Sequence, residues 1–185
     1  MHNKNIVHRD LKPKNIFLSI LDPTEKPTQG YINIYKCAKC RHNNSTKPAF
    51  ICPRIGDFGL IHELKHIDTE GVSGSGDAPF PFTSSNVGTT LYCPPHQPKE
   101  KAIICPKLDV FSLGIIAFEL VYHFTTDTER RVVLNKLGKS GEFPSDFAGH
   151  EMKEGIKNMV CKDRNQRWNT TLVRDWLEGL VAKWE

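Results

Sequence analysis

The feature that most constrains this chain is the run His8-Arg9-Asp10-Leu11-Lys12-Pro13-Lys14-Asn15, which crowds an acid, several bases and an amide into eight residues. Pro13 removes a backbone donor and stiffens the chain, so a turn is expected there. Its chemistry is more specific than its shape. Transfer of a γ-phosphoryl group needs an acceptor for the attacking hydroxyl's proton, a cation on the phosphate and oxygen ligands for Mg²⁺. Asp10 suits the first task, Lys12 the second, and the carbonyl oxygen of Asn15 the third. A polar turn between a helix and a strand would read similarly over so few residues, and a second metal ligand downstream separates the two readings.

That ligand is present in Asp57-Phe58-Gly59. Together the two motifs resemble the catalytic loop and the Asp-Phe-Gly motif of the eukaryotic protein kinase superfamily. The resemblance implies that Asp10 is the catalytic base with Lys12 beside it, that Asn15 and Asp57 hold Mg²⁺ and with it ATP, and that Phe58 sets the active or inactive state. A lysine two residues after the base is similar to the serine/threonine class. The fold so implied is α+β: a protein-kinase-like large lobe, mainly α-helical, with a small β-hairpin at the catalytic loop. The family's Gly-rich loop, strand lysine and helix glutamate have no room in the seven residues before His8. Residues 1–185 are therefore expected to be a partial kinase domain with the small lobe absent. Half of the ATP site would then be missing, and the chain alone is expected to be inactive.

Composition sets the outer bounds. At 185 residues, 38% hydrophobic and 25% charged, the chain has the material for one ordinary core. Its 25 Lys and Arg against 21 Asp and Glu leave a formal charge of +4, too mild to imply nucleic acid. A cleft that handles phosphate accounts for part of the excess. No apolar run approaches the length of a membrane span, and the first ten residues hold no signal-peptide core. Neither membrane nor secretory route is expected, and the location is expected to be cytoplasmic. Six cysteines beside a Mg-nucleotide motif are expected to be free thiols.

The resemblance also organises the middle of the chain. Residues 19–50 fall where the family's strand turns back quickly into the strand before Asp57, so they look like an insertion. Pro23, Pro27, Gly30 and Pro48 make it an exposed loop by expectation. Within it Cys37-x-x-Cys40 has zinc-ligand spacing, with His42 and Cys52 as further candidates. A single such pair is a weak sign, and ordinary loop thiols are the simpler reading. Residues 57–96 correspond to the activation segment, a polar run in which a phosphoryl group on Thr83, Ser84 or Ser85 would pair with Arg9 and order the loop. The segment closes on Gly88 to Gln97, which resembles the family's GTxxYxxPEQ anchor and makes Thr89 a substrate-loop residue. His96 stands where the family has a glutamate that pairs with a buried arginine, here Arg167. Losing one partner of such a pair costs about 3–5 kcal/mol if the remaining charge is buried, which puts stability or activity in doubt, although a neutral His96 could still accept a hydrogen bond from Arg167.

Residues 108–122 have the apolar recurrence and length of a buried helix. By resemblance this is the lobe's central helix, with Asp109 tying its start to the catalytic loop. Residues 127–137 begin with cap-type side chains, place Val132, Val133 and Leu137 near one face, and are expected to stop at Gly138. Residues 150–161 and 170–182 read as two more helices, with Trp168 and Trp176 in the core. The joined pattern VGTTLY, DVFSLGIIAFEL, TERRVVLNKL and EFPSDF is similar to the stress-responsive kinases that phosphorylate the alpha subunit of translation initiation factor 2. In that group the helix near Glu129 docks the substrate, which implies a recognition surface at Glu129, Arg130 and Arg131. The group also implies a homodimer formed through the small lobe. A serine/threonine kinase is the leading reading, and an inactive fragment or pseudokinase-like module that binds a protein partner is the alternative.

Overall fold

The longest apolar stretch of the chain folds as helix α1, Lys107–Val121, in which Phe111, Ile115 and Phe118 have no exposed surface. A helix that is apolar on nearly all sides must be covered on nearly all sides, and the other helices do this. They are α2, Asp127–Ser140, α3, Lys153–Met159, and α4, Thr170–Trp184. The five strands are short: β1, Ile6–Val7, β2, Ile16–Leu21, β3, Ile32–Asn33, β4, Phe50–Ile55, and β5, His62–Glu63. The computed structural model describes residues 1–21, 32–33, 50–64, 89–95 and 104–184. They divide into two units, Met1–Lys12 with Phe58–Glu185, and Pro13–Asp57.

The first unit is helical. Leu134 and Leu137 of α2, Ile156 and Met159 of α3, and Val173 and Leu180 of α4 join the α1 side chains in its core. The approach of α1 and α3 depends on Gly114, where a Cβ would lie 2.7 Å from Met159 Cβ and 2.8 Å from Val160 Cγ1. Beyond the end of α1 the rings of Phe118, Tyr122, Phe143 and Phe147 stack and cross at centroid distances of 5.0 to 6.1 Å. Such geometries suit the quadrupoles of aromatic rings. Ahead of these helices, β1 and β5 pair antiparallel, Ile6 opposite Glu63 and Val7 opposite His62.

The second unit is a sheet in the order β2-β4-β3. The β2–β4 ladder runs antiparallel from Ile16 opposite Ile55 to Leu21 opposite Phe50, and β3 adds Ile32 and Asn33 opposite Ile51 and Phe50. Pro53 is tolerated in β4 because β3 reaches only its first two residues. The segment 19–50, read from its breakers as an exposed loop, therefore contributes strand residues at 19–21, 32–33 and 50. Cys37, Cys40 and His42 lie outside the described residues. Cys52 is a free thiol in β4, and among the described residues no cluster could hold a metal through three His, Cys, Asp or Glu side chains.

The expected mainly helical large lobe with a small hairpin is what is observed, with two local corrections. Gly138 is not a stop: it is buried inside α2, facing Phe111 and Ile115. The helix continues to Ser140 and ends on Gly141, whose φ of 72° is the left-handed turn that glycine adopts without penalty. The buried face of α2 is Leu134 and Leu137, while Val132 is exposed. Among the described residues no helix is long and apolar enough to cross a membrane. Gly114→Ala is expected to lower stability by about 1–3 kcal/mol through overpacking against α3. Urea unfolding checks this, and an unchanged midpoint would mean that α3 yields at no cost.

Candidate active site

Asp109, in the first turn of α1, is 3% exposed and holds the catalytic-loop backbone. Its Oδ2 accepts the His8 amide at 2.8 Å and its Oδ1 accepts the Arg9 amide at 2.8 Å. Two successive amides converge on one carboxylate only because the backbone turns sharply, and Arg9 has a φ of 71°. A non-glycine residue in that region carries roughly 1–3 kcal/mol of strain, which charge-assisted hydrogen bonds offset. The His2 ring adds a third bond, Nε2 to Oδ2 at 2.8 Å. A carboxylate only accepts, so Nε2 carries the hydrogen. The structure thus places Asp109 where the resemblance implied and adds His2, which the sequence did not single out.

The loop so held presents Asp10 and Lys12 as a pair. Lys12 Nζ lies 2.6 Å from Asp10 Oδ2, with the lysine 22% and the aspartate 10% exposed. The Asp10 amide donates to His8 Nδ1 at 3.3 Å, and the fully buried His8 ring lies 5.4 Å from the Phe58 ring. Cys93 shares this neighbourhood: burial first, then the Asp10 carboxylate, push its thiol up to about 11, against a smaller opposing effect of Lys12.

In the second unit Asn15 and Asp57 flank the same end of the hairpin. Asn15 immediately precedes β2, Asp57 follows β4 by one residue, and the Gly56 amide donates to the Asn15 carbonyl at 2.9 Å, extending the ladder to its rim. Asn15 is buried, whereas Asp57 is exposed with a φ of 59°. An amide oxygen and a carboxylate are hard oxygen donors of the kind Mg²⁺ selects. Mg²⁺ ordinarily takes few protein ligands and completes its shell with phosphate and water. The donor set therefore fits.

The remaining expected site residues are distributed as follows. Thr83, Ser84, Ser85 and His96 lie outside the described residues. Thr89 opens a 3₁₀ turn, Thr89–Tyr92. Arg167 is 3% exposed, as expected of a buried partner, and its guanidinium is satisfied by main-chain oxygens. Nε donates to Cys161 at 2.8 Å, and the two terminal nitrogens donate to Lys107 at 3.0 Å and Lys162 at 3.4 Å. Its plane also lies 4.9 Å over the Phe111 ring. Burial lowers its pKa. The expected uncompensated charge is thus met by three carbonyls and an aromatic face. Trp168 and Trp176 pair at 5.9 Å but stay partly exposed, at the rim of the core instead of in it.

Glu129 and Arg130, expected on a docking surface, are both engaged within the chain. Thr126 caps α2 by accepting the Glu129 amide at 3.1 Å, while Glu129 Oε2 accepts the Thr125 amide at 2.8 Å and its hydroxyl at 2.6 Å. This is a capping box displaced by one residue, and these bonds lower the Glu129 pKa. Arg130 turns inward to Glu119 and Tyr92. Arg131 and Val132 form the exposed neighbour surface.

The aspartate and lysine on a turn fixed by a helix carboxylate in one unit, and the asparagine and aspartate at one end of the hairpin in the other, are each features of a protein kinase large lobe. The model of the protein kinase domain matches residues 1–177, and the chain belongs to that family. Among its relatives, eukaryotic translation initiation factor 2-alpha kinase 2 of Schizosaccharomyces pombe is 30% identical over 88% of this chain and 26% of its own length. Kinase 1 of the same yeast is 34% identical over 88% and 24%. The human eIF-2-alpha kinase GCN2 is 36% identical over 80% and 8%. The chain thus spans about a quarter or less of the length of these relatives.

Replacing Asp109 by Ala is expected to leave the His8 and Arg9 amides without their acceptor, at about 1–3 kcal/mol for each group that stays buried. The loss should appear in urea unfolding and as faster amide exchange at residues 8 and 9. Cys93 is expected to react with a thiol reagent at pH 8 about 100-fold more slowly than a thiol at the ordinary value of 9, because the thiolate is the nucleophile. A rate that rises with pH to a midpoint near 11 is the expected profile, and a midpoint near 9 would contradict the burial.

Proposed function

We propose that this chain is the catalytic lobe of a serine/threonine kinase that moves the γ-phosphoryl group of ATP onto the alpha subunit of translation initiation factor 2. The observation that carries the reading is the Asp10–Lys12 pair, held on a loop whose backbone is fixed by Asp109. Asp10 takes up the proton of the attacking hydroxyl. Lys12, within salt-bridge distance of Asp10, would neutralise the transferring phosphate. Asn15 and Asp57 are the residues that would hold Mg²⁺, which would supply positive charge to neutralise the phosphates of ATP. Phe17, an exposed aromatic ring packed on Gly56, offers a face for the nucleotide base. The substrate assignment rests on relatives that are named as initiation factor 2-alpha kinases. In this reading the protein restrains translation in the cytoplasm under stress and pairs through a small lobe. Phosphate on Thr83 or Ser84 orders the activation segment against Arg9.

The test is Mg-ATP-dependent phosphorylation of the alpha subunit, by the 185-residue chain and by the same chain with a kinase small lobe joined ahead of residue 1. The first is expected to be silent and the second active. Asp10→Asn should lower the rate of the active form by about 10²- to 10⁴-fold, the usual contribution of a positioned base. Turnover indifferent to Asp10→Asn would remove Asp10 as the base. A folded two-lobe protein with no turnover would leave a binding module.

A further inference from the structure

The 3₁₀ turn Thr89–Tyr92 is anchored to two different helices. Its Tyr92 carbonyl accepts the Ser112 hydroxyl of α1 at 2.7 Å. The Tyr92 side chain, 6% exposed, enters a closed ring of hydrogen bonds. Its hydroxyl donates to Glu119 Oε2 of α1 at 2.5 Å and accepts from a terminal nitrogen of Arg130 at 2.7 Å. Arg130 closes the ring with Nε to Glu119 Oε1 at 2.6 Å. Three elements distant in sequence thus share one neutral set of a carboxylate, a guanidinium and a phenol. Every donor-acceptor pair in the ring has charge on one side or both, the strong class of hydrogen bond. Arg130 is the only member on α2, and the next two residues, Arg131 and Val132, are exposed on that helix.

We propose that Arg130 is a positioning residue that ties the Thr89–Tyr92 turn to α2 through Tyr92 and Glu119, making turn and helix a single body. This rests on the kinase reading, in which the turn belongs to the substrate loop. A protein substrate seated on the exposed Arg131–Val132 side of α2 then meets a substrate loop at a fixed offset from its docking site. An arginine is suited to this because its planar fork serves two acceptors at once, which a lysine ammonium does not reproduce. Arg130 acts on the reaction only through the turn and touches no reacting atom.

The test is a cross-effect in amide hydrogen exchange, measured on the 185-residue chain. Arg130→Ala is expected to speed exchange at residues 91–93 by about 10-fold or more, the factor implied by one lost charged hydrogen bond. Tyr92→Phe is expected to speed exchange in the first turns of α2 although the substitution is not in that helix. Arg130→Lys should fall between wild type and Ala, and α4 should be unchanged in all three. Acceleration confined to the substituted element, or spread evenly over the chain, would overturn the tether. In the two-lobe kinase assay Arg130→Ala should raise KM for the protein substrate while KM for ATP stays constant. Equal effects on both would also overturn it. A localised cross-effect beside an inactive wild-type two-lobe protein would instead retain the tether and refute the kinase reading.

Discussion

The carboxylate of Asp109 is the constraint on which the catalytic loop depends. A turn carrying Asp10 and Lys12 has no ladder or helix to satisfy its amides, and unsatisfied buried amides are costly. One buried aspartate on the best-covered helix of the unit accepts both the His8 and the Arg9 amides. It thereby stabilises a left-handed conformation at Arg9 that a side chain of that size otherwise resists. The helix is apolar and covered on most sides, so the groups that it holds are fastened to the core. In the proposed kinase reading, catalysis by positioning asks for this, since most of the barrier reduction in phosphoryl transfer comes from fixed geometry and charge.

The same helix repeats the device along its length. The Ser112 hydroxyl donates to the Tyr92 carbonyl and Glu119 accepts the Tyr92 hydroxyl, while Lys107 Nζ in the first turn donates to the carbonyls of Arg164 and Asn165. Each polar interruption of an otherwise apolar helix therefore reaches a loop or a neighbouring element. A polar side chain in such a position is expensive unless paired, so sequence positions where α1 departs from apolar character mark where irregular chain is fastened. Burial and Glu119 push the Tyr92 hydroxyl above its ordinary range. The phenol therefore remains a donor across physiological pH.

How much of this was legible beforehand follows from range. The residues of the candidate site could be singled out because their chemistry is concentrated in two short motifs, and α1 was readable because its apolar character is continuous. The end of α2 was misread at Gly138. Two glycines three residues apart look alike in sequence, and only contact with Phe111 and Ile115 reveals one as a packing position and the other, Gly141, as the turn. The strand at Ile32–Asn33 was hidden for a related reason: two residues carry no period, and their partner lies in β4.

Arg130 shows the limit most sharply. On a helical wheel its neighbours Glu129 and Arg131 are polar, and three polar residues in a row read as one solvated face. Successive helical residues point about 100° apart, however, so three in a row necessarily span most of the circumference. Glu129 turns back to cap the helix and Arg131 faces outward, while Arg130 meets Glu119 and Tyr92. The inward one could be picked out only by its spacing to Leu134 and Leu137, four and seven residues on, which are buried on the same side. A charge that keeps helical register with a buried stripe needs a partner inside. In this chain that partner is the acid of α1, with the tyrosine of the Thr89–Tyr92 turn between them.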